Sequence, residues 1–145
     1  MNRKEIEKKA FWHFQSGFNC AEAILKTFVE TVRKKPYLGI TKFASGFGGG
    51  IGGSHCDACG ALTGGVIAIG WLFGRKHPDD DRSTVFSLSA EFRDQFLARF
   101  GATDCKTILA SLGDQENALK CKKLTAEAAG ILFALLGQGT RMKTI

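Results

Sequence analysis

Apolar residues recur at three- and four-residue spacings along most of the chain, which is the pattern of amphipathic helices. Ile6, Ala10 and Phe14 illustrate it in the first segment. No stretch shows the sustained apolar–polar alternation, rich in β-branched residues, of a half-buried strand. The pattern predicts helices over residues 2–15, 19–35, 57–74, 83–100, 104–112 and from 117 or 121 to 136, with a short helical turn over 40–45. We therefore expect an all-α fold.

Polar residues and glycines mark several of these helix ends. Asn19 can cap the second helix while Glu22, three residues on, reaches back, which is a capping-box arrangement. Pro36 should stop that helix, Gly101 should end the long helix over 83–100, and Asp104 should cap the short one that follows. The apolar stripe of the long helix is expected to consist of Phe86, Phe92, Phe96 and Phe100.

The length of 145 residues is that of one domain, and neither an internal repeat nor a linker divides the chain. We expect residues 1–145 to form one compact bundle of about five or six helices, with a glycine-rich loop before a central apolar helix. The tail over 137–145 should be frayed.

Six glycines crowd the segment 46–54, which would destabilise a helix or a strand. Gly48, Gly50 and Gly53 match the G-x-G-x-x-G pattern, but no strand precedes them and no βαβ unit surrounds them, so a dinucleotide site is not indicated. The segment should form a loop with unusual backbone angles or a very close approach to something else. Gly48, Gly49 and Gly50 are candidate contacts for a cofactor, for cysteines elsewhere in the chain or for another subunit.

Charge and composition exclude several classes of protein. The net charge is +6, but lysines and arginines are spread along the chain without a nucleic-acid-binding motif, so no nucleic-acid partner is expected. The charged N-terminus lacks the apolar stretch of a secretion signal. The longest apolar stretch, 59–73, is too short for a membrane span. We expect a cytoplasmic protein whose five cysteines are reduced and serve as ligands or in catalysis.

Cys56 and Cys59 form a C-x-x-C pair directly after the glycine loop, at the start of a predicted helix. Helix dipole, free backbone N–H groups and the neighbouring sulfur can each lower the pKa of a thiol there. Because the thiolate is both the nucleophile and the metal ligand, the pair is a candidate for catalysis and for metal binding.

The other three cysteines also lie near predicted helix starts: Cys20 follows Asn19, Cys105 follows Asp104, and Cys121 is near the start of the last helix. Such a set suits a cluster of anions, although cysteine is also a common core residue. Three interpretations stay open: an iron–sulfur cluster on some of the five cysteines, zinc held with help from His55, or a metal-free thiol–disulfide oxidoreductase that uses Cys56 and Cys59. The redox partner, a protein or a small thiol, is not specified by the sequence.

Gly60 and Gly64 fall on one face of the apolar helix, and small residues four apart permit close helix–helix contact. Packing inside the core is the favoured explanation, and a homodimer interface is the alternative.

Together these motifs resemble the C_GCAxxG_C_C family, small bacterial and archaeal proteins of expected redox activity. The matching runs are 19–23, 44–50 and 59–64, followed by isolated Cys105 and Cys121. The resemblance implies that Cys20, Cys59, Cys105 and Cys121 are the characteristic cysteines, and Cys56 departs from the pattern. A similar region occurs in split-Soret cytochromes c in association with an iron–sulfur site, which makes such a cluster the expected cofactor.

Overall fold

The computed structural model describes residues 1–34, 39–137 and Met142. Six α-helices run α1 (Arg3–Gln15), α2 (Cys20–Arg33), α3 (Gly60–Phe73), α4 (Ser83–Phe100), α5 (Cys105–Leu112) and α6 (Leu119–Leu135), and a 3₁₀ helix spans Thr41–Phe47. Within these residues the only β-type pairing is an isolated antiparallel bridge between Ala58 and Asp104. The prediction of an all-α fold is confirmed. No helix in the described part of the chain is long and apolar enough to cross a membrane.

The predicted helix caps are present. The Asn19 side chain accepts a hydrogen bond from the Glu22 N–H at 2.9 Å, and the Glu22 carboxylate accepts one from the Asn19 N–H at 2.9 Å. Asp104 accepts from the Thr107 N–H at 2.8 Å. Gly101 ends α4 in the left-handed conformation, with φ 80°. Each cap satisfies backbone groups that a helix end leaves without partners, so the sequence signals have a direct structural cause.

The core lies between α1, α2, α3, α4 and α6. Helix α6 packs against α1, α2, α3 and α4, while α2 packs against α1 and α3. The largest fully buried side chains include Phe28, Phe92, Phe96 and Phe133. Phe86, predicted to belong to the apolar stripe of α4, is instead 62% exposed. It lies in the first turn of α4, where the Arg82 guanidinium stacks over its ring, 5.1 Å from the centroid.

Gly64 allows α2 and α3 to approach closely. A Cβ on Gly64 would overlap the Ala21 carbonyl oxygen and would stand 2.8 Å from the Ala21 Cα. Gly60 likewise faces the first turn of α2. Packing inside the core is therefore confirmed as the use of this glycine pair, and the homodimer stays a prediction.

Several element boundaries differ from the prediction. Helix α3 begins at Gly60 and not at 57, because the preceding residues pair with the segment before α5: Cys59 N–H donates to Thr103 O at 2.8 Å and Cys105 N–H donates to Asp57 O at 2.7 Å. Helix α6 begins at Leu119, between the two predicted starts. The 3₁₀ helix continues to Phe47 and so takes in the start of the predicted glycine loop. Pro36 and most of the predicted frayed tail lie outside the described residues.

Candidate functional site

Four of the five cysteines lie at the beginning of a helix. Cys20 is the first residue of α2 and Cys105 the first residue of α5. Cys59 is the N-cap residue of α3, and Cys121 is the third residue of α6. The predicted placement at helix starts is thus confirmed for all four. Free N–H groups and the positive end of the helix dipole favour negative charge at such positions.

The fold brings these four helix starts together around one cavity of about 290 Å³. We call Cys20, Cys59, Cys105 and Cys121 the cavity cysteines. Apolar side chains form most of the remaining wall, and a few polar groups join them. The other lining residues are Phe14, Asn19, Gly49, His55, Gly60, Ile108, Leu109, Gln115, Ala118, Leu124 and Thr125. Cysteines that are up to 101 positions apart in sequence therefore share one enclosure.

The glycines next to the cavity are required by close contacts. A Cβ on Gly60 would overlap the Cys20 sulfur, and one on Gly50 would stand 2.6 Å from the Cys105 Cβ. A Cβ on Gly48 would overlap the Asn19 side chain that caps α2. Gly49 lines the cavity itself. The predicted close approach of the loop to the cysteines is confirmed, whereas contact of Gly48, Gly49 and Gly50 with a cofactor stays a prediction.

Hydrogen bonds hold the loop in one conformation. The N–H of Gly53 donates to Gly48 O at 3.0 Å, and that of His55 to Gly49 O at 2.8 Å. Asn19 Nδ2 also donates to Ser45 O at 3.0 Å and so ties the loop to the start of α2. Positive φ values at Gly49, Gly50, Gly52 and Gly53, from 62° to 70°, confirm the unusual backbone angles predicted from the glycines.

Burial raises the pKa of Cys20, Cys59 and Cys105 in the metal-free protein. It raises the pKa of Cys59 to about 12, and the nearby Cys20 sulfur adds to the rise, against the lowering by the Ala61 and Leu62 N–H groups. Burial also raises the pKa of Cys20, against hydrogen bonds from the Gly49 and Ala21 N–H groups. The expectation that the helix end lowers the pKa of Cys59 is therefore wrong. The N–H groups are present, but removal from water outweighs them.

The pKa of Cys105 is raised by burial and by the Cys121 and Cys20 sulfurs. Three neutral thiols thus face the cavity at neutral pH. A cation placed among them would have to displace their protons, so its binding should become tighter as the pH rises.

The raised pKa of Cys59 predicts a loss of stability of the metal-free protein in alkali. A thiol whose pKa is higher in the folded than in the unfolded state contributes its full stabilisation of the fold at pH values below its ordinary pKa of 9.0. This stabilisation is lost as the pH rises towards about 12. In this range the free energy of unfolding falls by up to about 1.4 kcal/mol per pH unit. Urea unfolding at pH 8 and pH 10 should show the wild type losing about 1 kcal/mol more than Cys59→Ser, which has no thiol to ionise. Equal losses in the two proteins would contradict the assignment.

Cys56 lies outside the cavity that the other four cysteines line. It is exposed, it precedes α3 by four residues, and its Sγ donates to Ser54 O at 3.4 Å. It is not among the residues that line the cavity. His55 does line the cavity, although its side chain is also exposed. The predicted catalytic pairing of Cys56 with Cys59 stays a prediction, and the structure brings Cys59 together with Cys20, Cys105 and Cys121 instead.

Two polar residues of the cavity wall were not predicted from the sequence. Gln115 accepts from the Cys121 N–H at 3.0 Å and its Nε2 donates to the Cys121 sulfur at 3.2 Å. Thr125 is fully buried, and its hydroxyl has no hydrogen-bond partner within the described residues. Thr125 follows Cys121 by four positions, so helical spacing places both on one face of α6. Gln115 has no comparable signal, since it reaches α6 from the preceding loop.

The donor groups of the cavity bear on whether a metal could be held there. Among the described residues, no three histidine, cysteine or acidic side chains are already placed to hold one metal ion. The cavity cysteines surround a common space, and the Thr125 hydroxyl and Gln115 amide add polar groups to its wall. Four cysteines, a hydroxyl and an amide thus line one cavity, and a thiolate-bound metal group among them stays a prediction.

One of three comparisons with known proteins finds a match. A search of curated proteins and a search of solved structures each give no match. A family model described as "Putative redox-active protein (C_GCAxxG_C_C)" matches residues 18–135, a range that contains all five cysteines. Because this match covers most of the chain, the protein belongs to the C_GCAxxG_C_C family.

Proposed function

We propose that the cavity cysteines bind an iron–sulfur cluster and that the protein uses it to transfer electrons or to sense redox state. The observation that carries the proposal is the convergence of Cys20, Cys59, Cys105 and Cys121, from four different helix starts, on one cavity. Four thiolates are the usual ligand set of such clusters. A bound cluster would supply one-electron chemistry, and the chain's own residues would bind it, exclude water from it and adjust its potential.

Charge balance supports this function. Four thiolates bring negative charge into a largely apolar cavity, and charge of that kind requires compensation. Helices α2, α3, α5 and α6 direct their N-terminal ends towards it, and each such end carries a partial positive charge. The Gly49 N–H near the Cys20 sulfur and the Gln115 Nε2–H near the Cys121 sulfur add hydrogen bonds of the kind that shift cluster potentials.

Burial favours a metal-bound use of the cavity over a metal-free one. In a metal-free Cys56–Cys59 enzyme the exposed Cys56 would attack, and Cys59 would have to follow it as the resolving thiolate. The pKa of Cys59 is raised to about 12, and the side chain is 7% exposed. A metal overcomes the same obstacle, because binding itself removes the proton. The proposal is tested against two alternatives: a zinc site, and a metal-free enzyme that uses Cys56 and Cys59.

Anaerobic purification followed by a visible absorption spectrum and by metal and sulfide analysis distinguishes these functions. The proposal predicts a brown protein with iron and acid-labile sulfide, which bleaches on reduction. A colourless protein with about one zinc per chain would support a zinc module. A colourless protein that takes up no iron and sulfide on anaerobic reconstitution, but whose Cys56 and Cys59 cycle between dithiol and disulfide, would support the oxidoreductase and contradict the proposal.

A further inference from the structure

We infer that Cys56 and Cys105 form a reversible disulfide, so that Cys56 has a redox partner other than Cys59. In the structure both cysteines are free, Cys56 exposed and Cys105 buried at the cavity. The disulfide concerns the metal-free protein and so does not depend on the proposed function. Its consequence for cofactor loading does rest on that function.

Gly50 shows that the two residues are neighbours. The position that a Gly50 Cβ would occupy lies 2.6 Å from the Cys105 Cβ and 3.2 Å from the Cys56 backbone nitrogen. Cys56 and Cys105 therefore both border the space that a Cβ at position 50 would occupy. Only a glycine fits there, and Gly50 has φ 70°. A side chain at this position would hold them apart.

The backbone bridge places Cys105 opposite Asp57, the residue next to Cys56. Cys105 N–H donates to the carbonyl of Asp57, the residue after Cys56, at 2.7 Å, and Ala58 pairs with Asp104. Paired residues of an antiparallel ladder have Cα atoms about 4.5–5.5 Å apart. A disulfide joins Cα atoms about 4.4–6.8 Å apart. Those distances apply to Asp57 and Cys105, and successive side chains of a strand point to opposite faces. The disulfide therefore requires the exposed Cys56 side chain, one residue away, to turn towards Cys105.

Because Cys56 is exposed and Cys105 is buried, Cys56 reacts first when a small-molecule disulfide is the oxidant. The exposed Cys56 thiolate attacks one sulfur of that disulfide, so that a mixed disulfide forms and one small thiolate leaves. The Cys105 thiolate then attacks the Cys56 sulfur and releases the second small thiolate. The protein gives up two electrons and two protons, and the small disulfide becomes two thiols.

The disulfide would remove one cavity cysteine from use. With Cys105 bonded to Cys56, only Cys20, Cys59 and Cys121 would keep a thiol towards the cavity. Oxidant and cofactor would then compete for Cys105. In this way Cys56 would make loading dependent on the redox state of the surroundings, without itself being a ligand.

Peptide mapping of the metal-free protein after treatment with oxidised glutathione tests the inference. Trypsin combined with a protease that cleaves before aspartate separates Cys56 (43–56), Cys59 (57–75) and Cys105 (104–106). We expect 43–56 linked to 104–106, with reversal by dithiothreitol, and the same link in Cys59→Ser. A link between 43–56 and 57–75, or Cys56 found only as its glutathione adduct, would overturn the inference.

The consequence is tested separately by loading. After the same oxidant treatment the wild type should take up little iron and sulfide, whereas Cys56→Ser, whose side chain is exposed, should load as the untreated protein does. Equal inhibition of both proteins would show that Cys56 does not control loading. Failure of untreated wild type to load at all would count against the proposed function and leave the mapped disulfide unaffected.

Discussion

Cys59→Ser should abolish cofactor binding, whereas Cys56→Ser should leave most of it. Cys59 is 7% exposed, occupies the N-cap position of α3 and lines the cavity together with Cys20 and Cys105. Serine at this position keeps the size of the side chain but removes a soft thiolate ligand. Cys56 is exposed and outside the cavity, so its loss removes no ligand. Iron and sulfide per chain after anaerobic purification, with the visible spectrum, provide the measurement.

The two variants control for each other, because they differ by three positions in one segment. Circular dichroism and thermal unfolding should show that both are folded. Wild-type cofactor content in Cys59→Ser would exclude the cavity as the binding site. Equal and complete loss in both variants would show that Cys56 and Cys59 work as one unit, which contradicts the division made between them.

Gly60→Ala should cause a second large loss of cofactor, although residue 60 supplies no ligand. Its Cβ would overlap the Cys20 sulfur and would stand 3.1 Å from Phe47 O and 3.2 Å from the Ala21 nitrogen. Rotation of the Cys20 side chain would relieve the first overlap, but it would move the sulfur from its place in the cavity. We expect cofactor affinity to fall about tenfold or more, as when other supports of metal ligands are altered. Overpacking should also cost about 1–3 kcal/mol of unfolding free energy.

Gly70→Ala is the matched control, since it makes the same substitution in the same helix. Nothing lies within 4 Å of a Cβ at Gly70. Alanine there should leave the cofactor unchanged and stabilise α3 by up to about 1 kcal/mol, because glycine is a poor helix former. Cofactor titration and urea unfolding of both variants give the comparison. If Gly60→Ala bound cofactor as tightly as Gly70→Ala, the position of the Cys20 sulfur would not matter to the site.

Much of the fold could be predicted because its signals are local. The capping box of Asn19 and Glu22, the Asp104 cap and the left-handed Gly101 each depend on residues within one helical turn. Two of these signals also place Cys20 and Cys105, which directly follow the capping residues, at helix starts. Phe86 was predicted incorrectly because periodicity identifies a helix face but does not show how far the neighbouring helices extend along it.

The parts of the site that could not be predicted depend on contacts distant in sequence. The bridge between Ala58 and Asp104 makes α3 shorter than predicted. It puts Cys56 and Cys59 in different environments. It also places Cys56 beside Cys105, which no spacing in the sequence indicates. The pKa of Cys59 was misjudged for a similar reason, since the N–H groups are local but the burial that outweighs them comes from packing.

X-ray absorption at the iron edge of the anaerobically loaded wild-type protein tests the central claim most directly. If the cavity cysteines hold an iron–sulfur cluster, every iron has a first shell of sulfur and a second iron nearby. Those two features, in protein with matched iron and sulfide content, are the predicted result. A first shell of nitrogen or oxygen, with no neighbouring iron, would contradict the claim.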